Sequence, residues 1–212
     1  QEAFQLDQVQ KLDMLRKSID NRVNLMCAEV FTTGKLIVMS DDQPKFEVDF
    51  GRDASANFAP ALTWDLPNST PVQDIETMMQ IMFELTGSYG ANLVMRTSVW
   101  KALVKHNDFN DVFIKPYGGI RNVLENTTFN TSVNQANLKI KLDNGLTIWT
   151  FDGYYTDGAG NKQFYLPDGY CGVVDNGSGV RAYGAIQDLE ANLGAFKYFP
   201  KTWLNRDPSA LY

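Results

Sequence analysis

Between Leu6 and Thr33 the apolar residues Leu12, Leu15, Ile19, Val23, Met26 and Val30 recur in steps of three and four. That spacing is one face of a 3.6-period helix. The other face carries Gln10, Lys17, Asp20 and Asn24. Gly34 follows and can end the helix in a left-handed conformation. At about 1.5 Å per residue such a helix is roughly 40 Å long, against an average length of about 11–12 residues. An amphipathic core helix, a coiled-coil arm and a structural spine with flatter elements on one side all fit the pattern. For a spine, the stripe from Leu12 to Val30 is the face expected to rest on the flatter elements, the Leu36–Val38 and Phe46–Phe50 strands.

Shorter patterns follow. Lys35–Ser40 is an apolar run and Phe46–Phe50 alternates, so a hairpin is predicted across the turn at 41–44. Residues 53–70, with Pro60, Trp64 and Pro67, read as a connection. Thr70, Pro71 and Gln73 carry the marks of a capping box opening a helix. Asp74 and Glu76 sit in its first turn, Ile75, Met78, Met79, Met82 and Phe83 form its apolar face, and Gly87 stops it. The methionines suit core packing or an adaptable groove. Ala91–Met95 reads as a strand, and Thr97 or Ser98 caps a further helix through Trp100, Leu103 and Val104. Residues 107–136, rich in Asn, Thr and Gly, read as a long functional or mobile loop. Asn144-Gly145 signals a two-residue turn, pairing Leu142 with Thr147, Ile140 with Trp149 and Leu138 with Phe151. Turns at 157–161 and 175–179 extend this region, 138–185, into an antiparallel meander. The fold class is therefore α+β.

Composition narrows the function classes. The chain has 212 residues, 44% apolar and 21% charged, with a net charge of -6. Residues 1–35 are balanced, so the acidic excess lies in the remainder. There is no basic stripe to grip phosphates. No apolar run approaches the ~20 residues of a membrane span. The polar N-terminus lacks the apolar core of a signal peptide. Cys27 and Cys171 suit a reducing compartment rather than a disulfide framework.

Catalytic chemistry needs a nucleophile with a base, a metal shell, paired carboxylates or a phosphate cradle. His106, the only histidine, suits a solvated or capping role beside Asn107. Asp49-Phe50-Gly51 copies a kinase triplet without the other kinase motifs. Glu47, Asp49 and Asp53 could bind a cation, but the first two face solvent from one side of a strand. The glycine pairs at 158–160 and 177–179 are turn residues. Asn68, Asn126, Asn130 and Asn176 head Asn-x-Ser/Thr triplets and reflect an Asn- and Thr-rich composition. The expectation is a non-enzymatic chain with no catalytic residue, cofactor or metal. A β-rich carbohydrate-binding module using Trp149, Tyr154, Tyr155 and Phe164 is the alternative.

An ordered set of strings carries a resemblance. Val48-Asp-Phe-Gly-Arg52, Trp64, Asp74-Ile-Glu76, Tyr183 through Gln187-Asp188 to Ala191, Tyr198-Phe-Pro-Lys-Thr-Trp203 and Asp207-Pro-Ser-Ala210 occur in this order. The chain resembles the major capsid proteins of lambda-like tailed bacteriophages, from the long helix to its last residues. The resemblance implies the HK97-type capsid fold: a spine helix, a peripheral sheet domain and a mixed α/β axial domain. It places 1–66 and 186–212 in the peripheral domain and 67–185 in the axial domain. Asp49, Gly51, Arg52, Trp64, Asp74, Gln187, Asp188, Tyr198, Pro200, Trp203, Asp207 and Pro208 become its structural motif positions. It implies a phage or prophage head protein, made in the bacterial cytoplasm, that self-assembles through hexamers and pentamers. Scaffold, portal and decoration proteins are the implied partners, with DNA enclosed without specific binding and no membrane. Members of that family also carry an N-terminal arm, an extended loop and a final strand. Here the chain begins near the spine and stops at Tyr212, so a fragment, a proteolysed core or the ordered part alone is expected.

Overall fold

The computed structural model describes residues 2–40, 43–114, 136–142, 145–176, 179–186, 190, 192 and 194–201. Helix α1 (Glu2–Thr33) comes first and spans about 48 Å at 1.5 Å per residue. Gly34 stops it with φ +72 and a 2.8 Å bond from its N–H to the Val30 carbonyl. Strands β1 (Lys35–Ser40) and β2 (Gln43–Asp49) form the expected hairpin. Helix α2 (Pro71–Thr86) ends at Gly87, φ +75, as its sequence predicts. Strand β3 (Asn92–Met95) and helix α3 (Thr97–Lys105) follow.

The capping box is not made. The Thr70 side chain gives α2 no capping bond. Asp108 caps it from a distant segment instead, its Oδ2 accepting the Val72 N–H at 3.3 Å. A similar substitution occurs at α3, where Asp152 Oδ1 accepts the Thr97 N–H at 3.1 Å and Oδ2 accepts the Thr97 hydroxyl. Both helix starts are satisfied by tertiary carboxylates, which the helix dipole favours.

The expected loop at 107–136 begins as a helix. Residues Asn107–Phe109 form a short α4, continued by a π-helical stretch, Asn110–Ile114. Phe109 and Ile114 are fully buried, and that burial holds the segment. The rest of the loop, 115–135, lies outside the described residues.

Strands β4 (Asn137–Lys141), β5 (Thr147–Thr150), β6 (Tyr154–Thr156), β7 (Lys162–Phe164) and β8 (Cys171–Val174) do not make a meander. The four-stranded sheet runs β4-β5-β3-β8, with β3 parallel to β5 and antiparallel to β8. Strands β6 and β7 pair separately. The intruder is β3, whose Leu93 and Met95 are fully buried. A strand that apolar is stabilised most at the sheet centre, where both its edges are paired.

The register of the β4–β5 hairpin is also one residue from expectation. Leu138 pairs with Trp149, Ile140 with Ile148 and Lys141 with Thr147, with an irregularity between Leu138 and Ile140. The Leu142 N–H bonds the Leu146 carbonyl at 2.8 Å and the Gly145 N–H bonds the Leu142 carbonyl at 3.0 Å. Gly145 takes φ +90. A one-residue slip turns every side chain over. Ile148 and Thr150 therefore face the core, and Trp149 lies half-buried on the other side.

The main core joins Ile75, Trp100, Leu103, Phe109 and Ile114 to Leu93, Met95 and Ile148 of the sheet, with Trp64. Val94 points the opposite way along β3 and belongs to a second core of Ala28, Tyr165 and Leu166, with Leu25, Phe31 and Phe151 against it. The sheet is thus covered on both faces, by α2 and α3 on one and by the end of α1 on the other. Gly172 in β8 makes room for α1: a Cβ there would lie 2.6 Å from Phe31 Cζ.

This overturns the expected packing face of α1. Leu25, Ala28 and Phe31 touch the core. At about 100° per residue, they centre on the side of the helix opposite the Leu12–Val30 stripe. Leu12, Leu15 and Ile19 are exposed, and Val23, Met26 and Val30 are half-buried. The C-terminal half of α1 is apolar on two sides, and the smaller Ala28 allows the closer approach. The chain divides into two compact units: residues 1–20 with 179–212, and residues 21–178.

Candidate assembly surface

The expected chemistry-bearing residues are structural. Glu47 and Asp49 both bind Lys35, each at 3.1 Å. Asp49 also accepts the Gly51 N–H at 2.8 Å, and that bond, with Lys35, holds its carboxyl below the usual range. Asp53 accepts the Ser55 N–H and hydroxyl at 2.8 and 2.7 Å. Among the described residues no three His, Cys, Asp or Glu side chains are grouped to hold a metal ion. Burial pushes the Cys171 thiol up to about 12, with the Asp74 charge adding to the shift. A thiol held protonated is a poor nucleophile. Cys27 is exposed on α1.

Several resemblance positions meet in joints of the fold. Gly51 adopts φ +68, so the chain can reverse after β2. Arg52 then turns back to α1, its Nη1 donating to the Phe31 carbonyl at 3.0 Å and the Thr32 carbonyl at 3.1 Å. These are orphan acceptors at the helix C-terminus, where a cation is favoured. The Tyr170 hydroxyl adds a bond to Phe31 O at 3.0 Å. Trp64 Nε1 donates to Asp74 Oδ2 at 2.9 Å, pinning the connection to the first turn of α2. The Tyr198 hydroxyl donates to Asp20 on α1, and Lys197 Nζ lies 3.4 Å from the same oxygen. Arg16 lies 5.1 Å from the Tyr198 ring centre. Tyr198 and Lys197 hold the Asp20 carboxyl below its ordinary value. Pro200 is exposed. Gln187, Asp188, Trp203, Asp207 and Pro208 lie outside the described residues.

The aromatic residues of the carbohydrate alternative do not share one strand pair. Trp149 is on β5 with its Nε1 bonded to Asn92 at 2.8 Å. Tyr155 packs on Tyr165 of the second core, with ring centres 5.4 Å apart. Tyr154 and Phe164 face each other across β6–β7 under Lys162.

Extended apolar surfaces stand out instead. Along α1, Leu12, Leu15 and Ile19 are 41%, 61% and 47% exposed in one stripe. On the hairpin, Leu36, Val38, Phe46 and Val48 share a face by register, and Phe46 is 63% exposed. Exposed apolar stripes are a common mark of contact surfaces.

Comparison with known proteins agrees with that geometry. The profile of the family described as phage major capsid protein E matches residues 2–212. The P21 prophage-derived major head protein of Escherichia coli O6:H1 (strain CFT073) is 29% identical over 193 residues, covering 81% of this chain and 51% of that protein. The major capsid protein of Enterobacteria phage P21 matches to the same extent. The chain spans about half the length of these curated relatives. A crystal structure assigned as a prophage capsid protein of E. coli CFT073 superposes with a TM-score of 0.60 at 23% identity, over 82% of this chain and 50% of that one. The two share a fold. With a family profile matched along its length, the chain belongs to the phage major capsid protein E family.

Proposed function

We propose that this chain is the shell-forming part of a phage or prophage head, with the HK97-type arrangement of spine helix, peripheral domain (1–66 and 186–212) and axial domain (67–185). It assembles with copies of itself through hexamers and pentamers into an icosahedral head that encloses DNA. One observation carries this: the phage major capsid protein E profile matched along residues 2–212, with the exposed Leu12, Leu15 and Ile19 of α1 as a surface for the contacts. A shell subunit needs extended surfaces that meet in ring-closing contacts. The occupant of the stripe is another copy of the chain.

The acidic balance of -6 suits an inner wall that does not adhere to packaged DNA. Scaffold, portal and decoration proteins are the further partners of such a head. Synthesis takes place in the host cytoplasm and the final location is the virion. Among the described residues no helix is long and apolar enough to cross a membrane.

Electron microscopy of the full-length protein, expressed with its neighbouring genes, tests the reading. Rings, shells or tubes are expected. Persistent monomers under every condition rule it out.

A further inference from the structure

His106 is the only histidine in the chain. Its backbone closes α3, with its N–H on the Leu103 carbonyl at 3.1 Å. Its carbonyl receives the Asn110 N–H at 3.0 Å. Its side chain opens the next helical segment, Nδ1 accepting the Asp108 N–H at 3.3 Å. A ring nitrogen accepts only while it carries no proton, so the ring is the Nε2–H tautomer. Nε2 is buried and has no hydrogen-bond partner.

Two anchors depend on this start. Phe109 and Ile114 carry residues 107–114 into the main core. The Asp108 carboxylate crosses to α2 and accepts the Val72 N–H at 3.3 Å, where Thr70 supplies no cap. The imidazole thus stands at the head of two caps in series: Nδ1 on the Asp108 N–H, then the Asp108 carboxylate on α2.

We propose that His106 is a proton-operated catch joining residues 107–114 to the N-terminus of α2, closed when the ring is neutral and open when it is protonated. An imidazolium carries N–H groups on both nitrogens. Its Nδ1–H would meet the Asp108 N–H, donor against donor, and the first cap is lost. Histidine is the side chain whose ordinary titration falls between about pH 5 and 8. Lys101 and Lys105 of α3 and Asp65 of the connection line the same groove as the ring, and Asp108 lies on its own segment. Asp108 offers the imidazolium an acceptor, and a carboxylate that turns to it leaves Val72. Both routes open the catch on the acid side.

Backbone amide exchange of the 212-residue chain, corrected for the intrinsic effect of pH, reads the catch at Asp108 and Val72. Protection at Asp108 is expected to fall about fivefold on going from about pH 7.5 to about pH 5.5, the loss of one N-cap interaction. Val72 is expected to follow in the same direction. In His106→Asn the side-chain oxygen accepts the same N–H without titrating, and protection is expected to stay level. An equal fall in both proteins overturns the proposal. The single histidine gives a second reading that needs no variant: its imidazole nitrogen chemical shifts. The Nε2–H tautomer at neutral pH is expected, and the Nδ1–H tautomer overturns the catch.

Discussion

Arg52 ties three parts of the chain together through one guanidinium. It leaves the hairpin at Gly51, crosses Gly34 and ends on the Phe31 and Thr32 carbonyls. Arg52→Ala removes both bonds, leaving the half-buried Thr32 carbonyl without this donor while Phe31 keeps the Tyr170 bond. A loss of about 1.5–3 kcal/mol is expected, the range for hydrogen bonds to a charged group. Urea denaturation checks it, and a change within about 0.5 kcal/mol, as at an ordinary surface site, rejects the joint. Asp49, three residues earlier, gives a pH signature. Its folded carboxyl lies below the ordinary value because the Gly51 N–H and Lys35 favour the anion. The sign follows from linkage: the stabilisation is fully present above the unfolded value of about 3.9 and is lost as pH falls through the lower, folded value. The urea midpoint of the wild type should therefore drop more steeply below about pH 4 than that of Asp49→Asn. Parallel curves would show that Asp49 contributes nothing to acid sensitivity.

The elements can be tested through the β4–β5 register. Ile148 is fully buried and Thr147 half-buried, the reverse of what a two-residue turn at Asn144-Gly145 predicts. Ile148→Ala should cost about 2–5 kcal/mol, the range for truncating a buried aliphatic. Thr147→Ala should cost well under half as much. Equal costs, measured by chemical denaturation, would reject the register described here. Local signals made much of the chain legible in advance. The helical periods of α1 and α2, the glycine stops at 34 and 87, and the first hairpin are all decided within a few residues of themselves. Partners and directions are not. The place of β3 in the sheet depends on Leu93 and Met95 finding a buried slot, which no neighbouring residue announces. The caps from Asp108 and Asp152 come from other segments, so the Thr70-Pro71-Gln73 signature pointed to the right helix with the wrong partner. The helix at 107–114 did leave a trace, apolar Phe109, Val112 and Phe113 in helical steps, beneath an Asn- and Asp-rich composition. The Trp64–Asp74 joint was visible only as two members of an ordered set. Neither residue marks the other by spacing.

The whole molecule turns on which side of α1 faces inward. Two apolar sides exist, and sequence periodicity favours the longer one, from Leu12 to Val30. Burial favours the shorter one, because Ala28 lets α1 approach Tyr165 and Leu166 closely. The longer side is left exposed at Leu12, Leu15 and Ile19, where the shell subunit proposed above would make its contacts. Substitutions on opposite sides should therefore separate folding from assembly. Ile19→Lys places a charge on an exposed site and should change monomer stability by no more than about 0.5 kcal/mol. It should nevertheless abolish shells or reduce them severely, since the charge would be desolvated when a second copy covers the stripe. Ala28→Lys forces a long charged side chain against the second core and should cost at least about 2 kcal/mol in the monomer itself. Denaturation of the purified chains and microscopy of the full-length proteins measure the two effects independently. If Ile19→Lys assembles like the wild type, the stripe is not a shell contact. If it unfolds the monomer, the stripe is a core face after all, and the orientation of α1 described here is wrong.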